Sequence, residues 1–125
     1  MNKIIFISTR YFTKNDFSRF GITKYLENKI NVEVWYLNKL IKRNYKIKEF
    51  GLKKVKIKKI NDIHEFENQI KENMVNCVYD LRIAYHFSNK KIFQLLSKYD
   101  ANNLIYLRGD RYKFKIKFLN YLKYQ

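Results

Sequence analysis

Six polar residues of this chain are of the types that hold anions or move protons: Ser8, Thr9, Arg10, His86, Arg108 and Asp110. Ser8-Thr9-Arg10 ends the apolar run that begins Lys3-Ile4-Ile5-Phe6-Ile7, and Arg108-Gly109-Asp110 ends Leu104-Ile105-Tyr106-Leu107. His86 follows Cys77-Val78-Tyr79-Asp80-Leu81-Arg82-Ile83, another run that starts apolar and turns polar. If these runs are neighbouring parallel strands, their polar ends form one rim. Ligands of open α/β sheets collect at that rim. Arginine suits phosphate or carboxylate there, because its planar fork addresses two oxygens at once.

The runs require particular neighbours. A strand with one wet face alternates polar and apolar residues. Ile4-Ile5-Phe6-Ile7 does not, so it reads as a central strand covered on both faces. A helix is expected over about 17–29, capped by Asn15 or Asp16, with Phe17, Phe20, Ile22, Tyr25 and Leu26 as its apolar stripe. Gly21 falls inside that stripe, either for close helix–strand packing or for a ligand approaching the backbone. A strand over 32–37 completes a βαβ unit, and the strict alternation of 54–58 reads as a lysine-rich edge strand. Asp62 with Glu65 three residues on opens a helix whose apolar face is Ile63, Phe66, Ile70 and Met74. His64 in its first turn is expected in solvent. Ser88 is the expected cap of a further helix with Ile92, Leu95, Leu96 and Tyr99 buried. The predicted fold is α/β: one Rossmann-like domain over 1–125, incomplete at its C-terminus, with a doubly wound, mostly parallel sheet and helices on both faces.

Several function classes lack their signatures. Neither Gly-x-Gly-x-x-Gly nor a Gly-Lys-Ser/Thr loop occurs, and the glycines are Gly21, Gly51 and Gly109. No cofactor is therefore expected, and two histidines with one cysteine make no zinc spacing. Cys77 is expected as a small buried residue, and a lone cysteine suits a reducing cytosol. No segment approaches the roughly 20 apolar residues of a membrane span, so a cytoplasmic or surface-bound protein is expected.

The formal net charge is +16. An AT-rich genome would supply much of it as lysine, but the charge is segregated. Residues 42–60 hold nine basic groups and one acid, 61–80 one base and five acids, and 81–125 ten bases and two acids. Segregation points to a basic face and an anionic partner, either nucleic acid or an acidic membrane surface. The tail carries a stripe of Phe114, Phe118, Tyr121 and Leu122 with Lys113 and Lys117 opposite. As a helix it could lie in a membrane interface, with Lys113, Phe114, Lys117 and Phe118 facing the membrane.

The order and spacing of these segments resemble the N-terminal, acceptor-side half of a GT-B glycosyltransferase of the large retaining group (family 4-like). The residues that carry the resemblance are Lys3-Ile4-Ile5-Phe6-Ile7, Gly21-Ile22-Thr23-Lys24-Tyr25-Leu26-Glu27 running into Val32-Glu33-Val34-Trp35, Asp80 before the His86 loop, and Ile105-Tyr106-Leu107-Arg108-Gly109-Asp110. The family usually has a paired glycine where this chain has Phe20-Gly21. The resemblance implies transfer of a sugar from a nucleotide-sugar donor to a cell-envelope glycan or lipid-linked acceptor. The donor would be gripped by a second domain, and this half would be inactive alone. Asp110 or His86 would orient or deprotonate an acceptor hydroxyl. Arg10 and Arg108 would meet phosphate oxygens, with Gly21 lining the cleft. The competing readings are a basic nucleic-acid-binding module and a flavodoxin-like signalling domain. The latter would need acidic residues where Ser8-Thr9-Arg10 stands.

Overall fold

The computed structural model describes residues 2–40, 48–83, 89–101 and 103–105. Strands β1 (Lys3–Ser8), β2 (Asn31–Tyr36), β3 (Lys56–Lys59), β4 (Cys77–Leu81) and β5 (Asn103–Ile105) form one sheet in the order β3-β2-β1-β4-β5. Every pairing is parallel. Helices α1 (Lys14–Arg19) and α2 (Ile22–Glu27) lie between β1 and β2, α3 (Ile63–Glu72) between β3 and β4, and α4 (Lys90–Lys98) between β4 and β5.

β1 is central because its side chains require it. Ile4, Ile5, Phe6 and Ile7 are all fully buried, although successive side chains of a strand point to opposite faces. Ile4 and Phe6 join Phe17, Ile22, Val34 and Tyr36 under α1 and α2. Ile5 and Ile7 join Trp35, Tyr79 and Leu81 under Phe66 and Ile70 of α3 and Ile92, Phe93 and Leu96 of α4. The chain steps outward from β1 to β2 and β3 with its helices on one face. It then returns through α3 to the far side of β1 and continues through α4 on the other face. Crossovers of one hand that step in opposite directions must use opposite faces. The fold is therefore doubly wound α/β, as expected, and the strand order reverses between β1 and β4.

Local boundaries differ where polar chemistry overrides periodicity. The helix expected over 17–29 is two helices, and its cap is Thr13 rather than Asn15 or Asp16. The Thr13 hydroxyl accepts from the Asp16 N–H while the Asp16 carboxylate accepts from the Thr13 N–H, a closed capping box. Phe20 ends α1, and Gly21 at φ +72° caps α2, a left-handed backbone that breaks the helix. α3 opens on Asp62 as expected, but the returning arm of Glu65 accepts from the Asn61 N–H. It stops at Glu72, so Met74 leaves the expected apolar face and is 51% exposed. β3 is the expected edge strand, running Lys56–Lys59 rather than 54–58. Cys77 is buried; the buried stripe of α4 is Ile92, Phe93 and Leu96, while Leu95 and Tyr99, expected in it, are half-buried. α4 has Asn89 at its N-cap position rather than the expected Ser88, without a side-chain cap bond; Ser88 and the tail lie outside the described residues.

A charge network ties the amino-terminal part of the sheet together. Glu33 on β2 is 4% exposed. Its carboxylate meets Lys3 Nζ of β1 at 2.7 Å, Lys58 Nζ of β3 at 3.2 Å and the Trp35 indole N–H at 3.1 Å. Lys3 also donates to Asn73 Oδ1 at 2.9 Å, and Lys58 to Gln69 Oε1 at 2.6 Å. Burial alone would raise the Glu33 pKa, but the hydrogen bonds from Lys3, Trp35 and Lys58 outweigh it and hold it below the ordinary value.

Two outcomes follow. Glu33→Gln should cost about 2 kcal/mol in urea unfolding at pH 7, because a charge-assisted network becomes a neutral one. A depressed carboxylate pKa stabilises above the unfolded value of 4.5, so the wild-type advantage should shrink as pH falls below that value. Gly21→Ala should cost about 1–2 kcal/mol because the backbone is left-handed. Gly21→Asn should cost less, as asparagine tolerates that region.

Candidate functional site

The carboxyl ends of β1 and β4 lie side by side where the strand order reverses, the crevice in which open α/β sheets take ligands. Sheet hydrogen bonding continues past the strand ends: the Arg82 N–H donates to the Ile7 carbonyl at 2.9 Å and the Leu37 N–H to the Ser8 carbonyl at 2.8 Å. The Ser8 hydroxyl donates to the Arg10 carbonyl at 2.7 Å and accepts from the Arg10 N–H at 3.2 Å, closing the turn through Thr9.

That turn sends the Arg10 side chain back over α1. Its Nη1 donates to Asp16 Oδ2 at 2.7 Å and to the Tyr11 carbonyl at 3.1 Å, and its Nη2 to Asp16 Oδ1 at 3.2 Å. Arg19 reaches the same carboxylate from the last turn of α1, with Nη2 2.9 Å from Oδ1. Asp16 is 3% exposed. Burial would raise its pKa, but hydrogen bonds from Arg10 and from the Thr13 backbone hold it below the usual carboxylate value.

On the β4 side, Asp80 sits in register with Phe6 and is fully buried. Two residues on, Arg82 points to the same face of the strand. Its Nη2 donates to Asp80 Oδ2 at 3.1 Å. Its Nε lies 2.9 Å from Oδ1 as a charge contact out of hydrogen-bond alignment. The Arg82 guanidinium stacks 3.8 Å from the centre of the Phe20 ring, and that of Arg19 lies 5.0 Å from the same centre. Burial pushes the Asp80 carboxyl up to about 6, with Arg82 opposing. Apart from its chain neighbours, no described residue lies within 4 Å of the position a Gly21 Cβ would take.

Of the residues expected at the rim, Ser8, Thr9, Arg10 and Gly21 are placed at this end of the sheet. His86, Arg108, Asp110, Lys113, Phe114, Lys117 and Phe118 lie outside the described residues. The structure adds Asp16, Arg19, Phe20, Asp80 and Arg82. Their signal in the sequence was an acid inside an apolar strand run, with an arginine two residues later on the same strand face. Chemically, this edge is an array of cations around two sequestered carboxylates. Asp80 is too deeply buried to meet a ligand, so it acts through Arg82. Among the described residues, no group of three His, Cys, Asp or Glu side chains is gathered as a metal would need. A cavity of about 340 Å³ lies elsewhere, between α3 and α4, where Glu67 pairs with Lys98 at 3.2 Å and His64 stands exposed as expected.

The two carboxylates should titrate in opposite senses. A carbon-13 NMR titration should place Asp80 near 6 and Asp16 below 3.8. A raised folded pKa means that stability from Asp80 is complete below 3.8 and is lost as pH rises through about 6. Asp80→Asn should therefore gain on the wild type between those values and stop gaining above them. An Asp80 midpoint under 4 would disprove the assignment.

No protein-family model, curated protein or solved structure matches the chain.

Proposed function

We propose that this chain is the acceptor-side half of a glycosyltransferase that moves a sugar from a nucleotide-sugar donor to a cell-envelope polysaccharide or lipid-linked acceptor. The observation that carries this reading is the doubly wound parallel sheet whose arginine-bearing strand ends meet at the order reversal, beside the left-handed Gly21 backbone. A crevice of that kind accepts an extended, phosphate-bearing substrate at a strand edge. In this reading Arg10 and Arg108 address phosphate oxygens, and Asp110 or His86 takes the proton of the attacking hydroxyl. In this reading the donor is gripped by a second domain. The protein works at the cytoplasmic face of a membrane, held there by Lys113, Phe114, Lys117 and Phe118. The net charge of +16 supports such an attraction, since each basic residue near an anionic surface contributes about 1 kcal/mol at low salt. No helix among the described residues is long and apolar enough to cross a membrane.

The test is sedimentation of the full chain with phosphatidylcholine vesicles, with and without phosphatidylglycerol. Duplex and single-stranded DNA serve as soluble competitors. Capture by the anionic vesicles is expected, weakening with salt and surviving an excess of DNA. Preferential capture by DNA, with affinity falling by about a thousandfold between low and moderate salt, would instead make this a nucleic-acid-binding module.

A further inference from the structure

Among the described residues, three guanidinium groups at the carboxyl edge come from three different elements: Arg10 after β1, Arg19 at the end of α1 and Arg82 after β4. They are linked pairwise. Arg10 and Arg19 share the Asp16 carboxylate, and Arg19 and Arg82 share the Phe20 ring. The balancing carboxylates lie deeper. The side chains of Asp16 and Asp80 are 5% and 1% exposed, against 32%, 59% and 16% for Arg10, Arg19 and Arg82. Among the described residues, negative charge is therefore the inner layer and positive charge the outer one, so an approaching anion meets these cations before those carboxylates. Asp80 and Phe20 fix the direction of Arg82, which lowers the ordering cost of binding. The open space at Gly21 lies beside Phe20 and leaves room for a ligand near the backbone.

We infer that Arg82 and Arg19, with Arg10 behind them, form a phosphate-binding site at the order reversal of the sheet, with Asp80 and Phe20 as positioning residues for Arg82. The ligand is a phosphate or pyrophosphate ester, because fork-shaped donors match paired phosphate oxygens. This deepens the acceptor-side reading and rests on it for the biological source of the phosphate. Whether the group is lipid-borne or soluble does not alter the chemistry.

The test is calorimetric titration of the full chain with inorganic pyrophosphate at low salt, comparing the wild type with Arg82→Gln, Arg19→Gln, Asp80→Asn and Lys53→Gln. Arg82→Gln should weaken binding by about tenfold and Arg19→Gln by several-fold. Asp80→Asn keeps an oxygen acceptor that still directs Arg82 while removing a negative charge, so it should bind at least as tightly as the wild type. Lys53 is exposed on the approach to β3, and its substitution should change nothing. Arg19 is largely exposed, so Arg19→Gln keeps its fold even if Arg82→Gln does not. A loss in Lys53→Gln equal to that in Arg19→Gln would overturn the site in favour of diffuse charge, as would the absence of pyrophosphate binding. A second arm uses phosphatidylcholine vesicles doped with phosphatidic acid. Arg82-dependent capture there identifies a lipid-borne phosphate, and Arg82-dependent binding of pyrophosphate alone identifies a soluble one. Preferential capture by DNA would remove the glycosyltransferase reading while leaving an Arg82-dependent pyrophosphate site standing. Capture by anionic vesicles without any pyrophosphate site would do the reverse.

Discussion

The constraint on which this fold depends is the need to cover β1 twice. Four consecutive apolar side chains, Ile4 to Ile7, point alternately to the two faces, and neither face can be left wet. One crossover supplies one cover. A second cover on the opposite face requires the chain to return past β1 and continue outward in the other direction. The reversal of strand order is thus a geometric result of burying one short run. The crevice outside β1 and β4 exists for the same reason, because the helices that follow the two strands lie on opposite faces of the sheet.

The two ends of the sheet treat buried charge differently. Toward the amino ends, Glu33 is enclosed by Lys3, Lys58 and the Trp35 indole, all of which reach inward to it. At the carboxyl ends the acids are the inner partners, and the arginines are the more exposed member of each pair. A closed network of the first kind stabilises the sheet and offers nothing to a ligand. An outward array of the second kind is also anchored, but it keeps its cationic side at the surface. The balance of hydrogen-bond partners against burial explains why Asp16 and Asp80 titrate apart. Asp16 is reached by two guanidiniums and a backbone N–H, so hydrogen bonding prevails. Among the described residues Asp80 has Arg82 alone to offset its loss of water, so desolvation prevails.

Much of the architecture was legible in the residues. β1 could be placed by its unbroken apolar run, β3 by its lysine alternation, and the start of α3 by Asp62 and Glu65. These are local signals, and local chemistry decides them. The misplacements came where a local pattern competed with something distant or with a single dihedral. The apolar spacing of Phe17, Phe20, Ile22, Tyr25 and Leu26 fits one helix, yet the left-handed Gly21 divides it and Thr13 moves its start. Met74 fits the period of α3, but that helix ends at Glu72. The site was half legible. Arg10 and Gly21 could be named from their places after a strand and within a helix. Arg82 had only the local signal of Asp80 two residues before it, because its role also depends on Phe20, which stands far off in sequence.

Glu33 has a further significance for how the sheet assembles. Its partners lie diagonally across two strand junctions, Lys3 on β1 and Lys58 on β3, at positions set by the Ile5↔Glu33 and Glu33↔Lys56 pairings. A slip of one residue in either pairing would turn the side chains of that strand to the opposite face. The carboxylate would then be buried against apolar neighbours without its cations, at a cost of several kcal/mol. Val32, Val34 and the isoleucines of β1 would tolerate such a slip far better, since one apolar side chain replaces another at little cost. The ionic triad therefore proofreads the strand alignment that the hydrophobic core alone would leave degenerate.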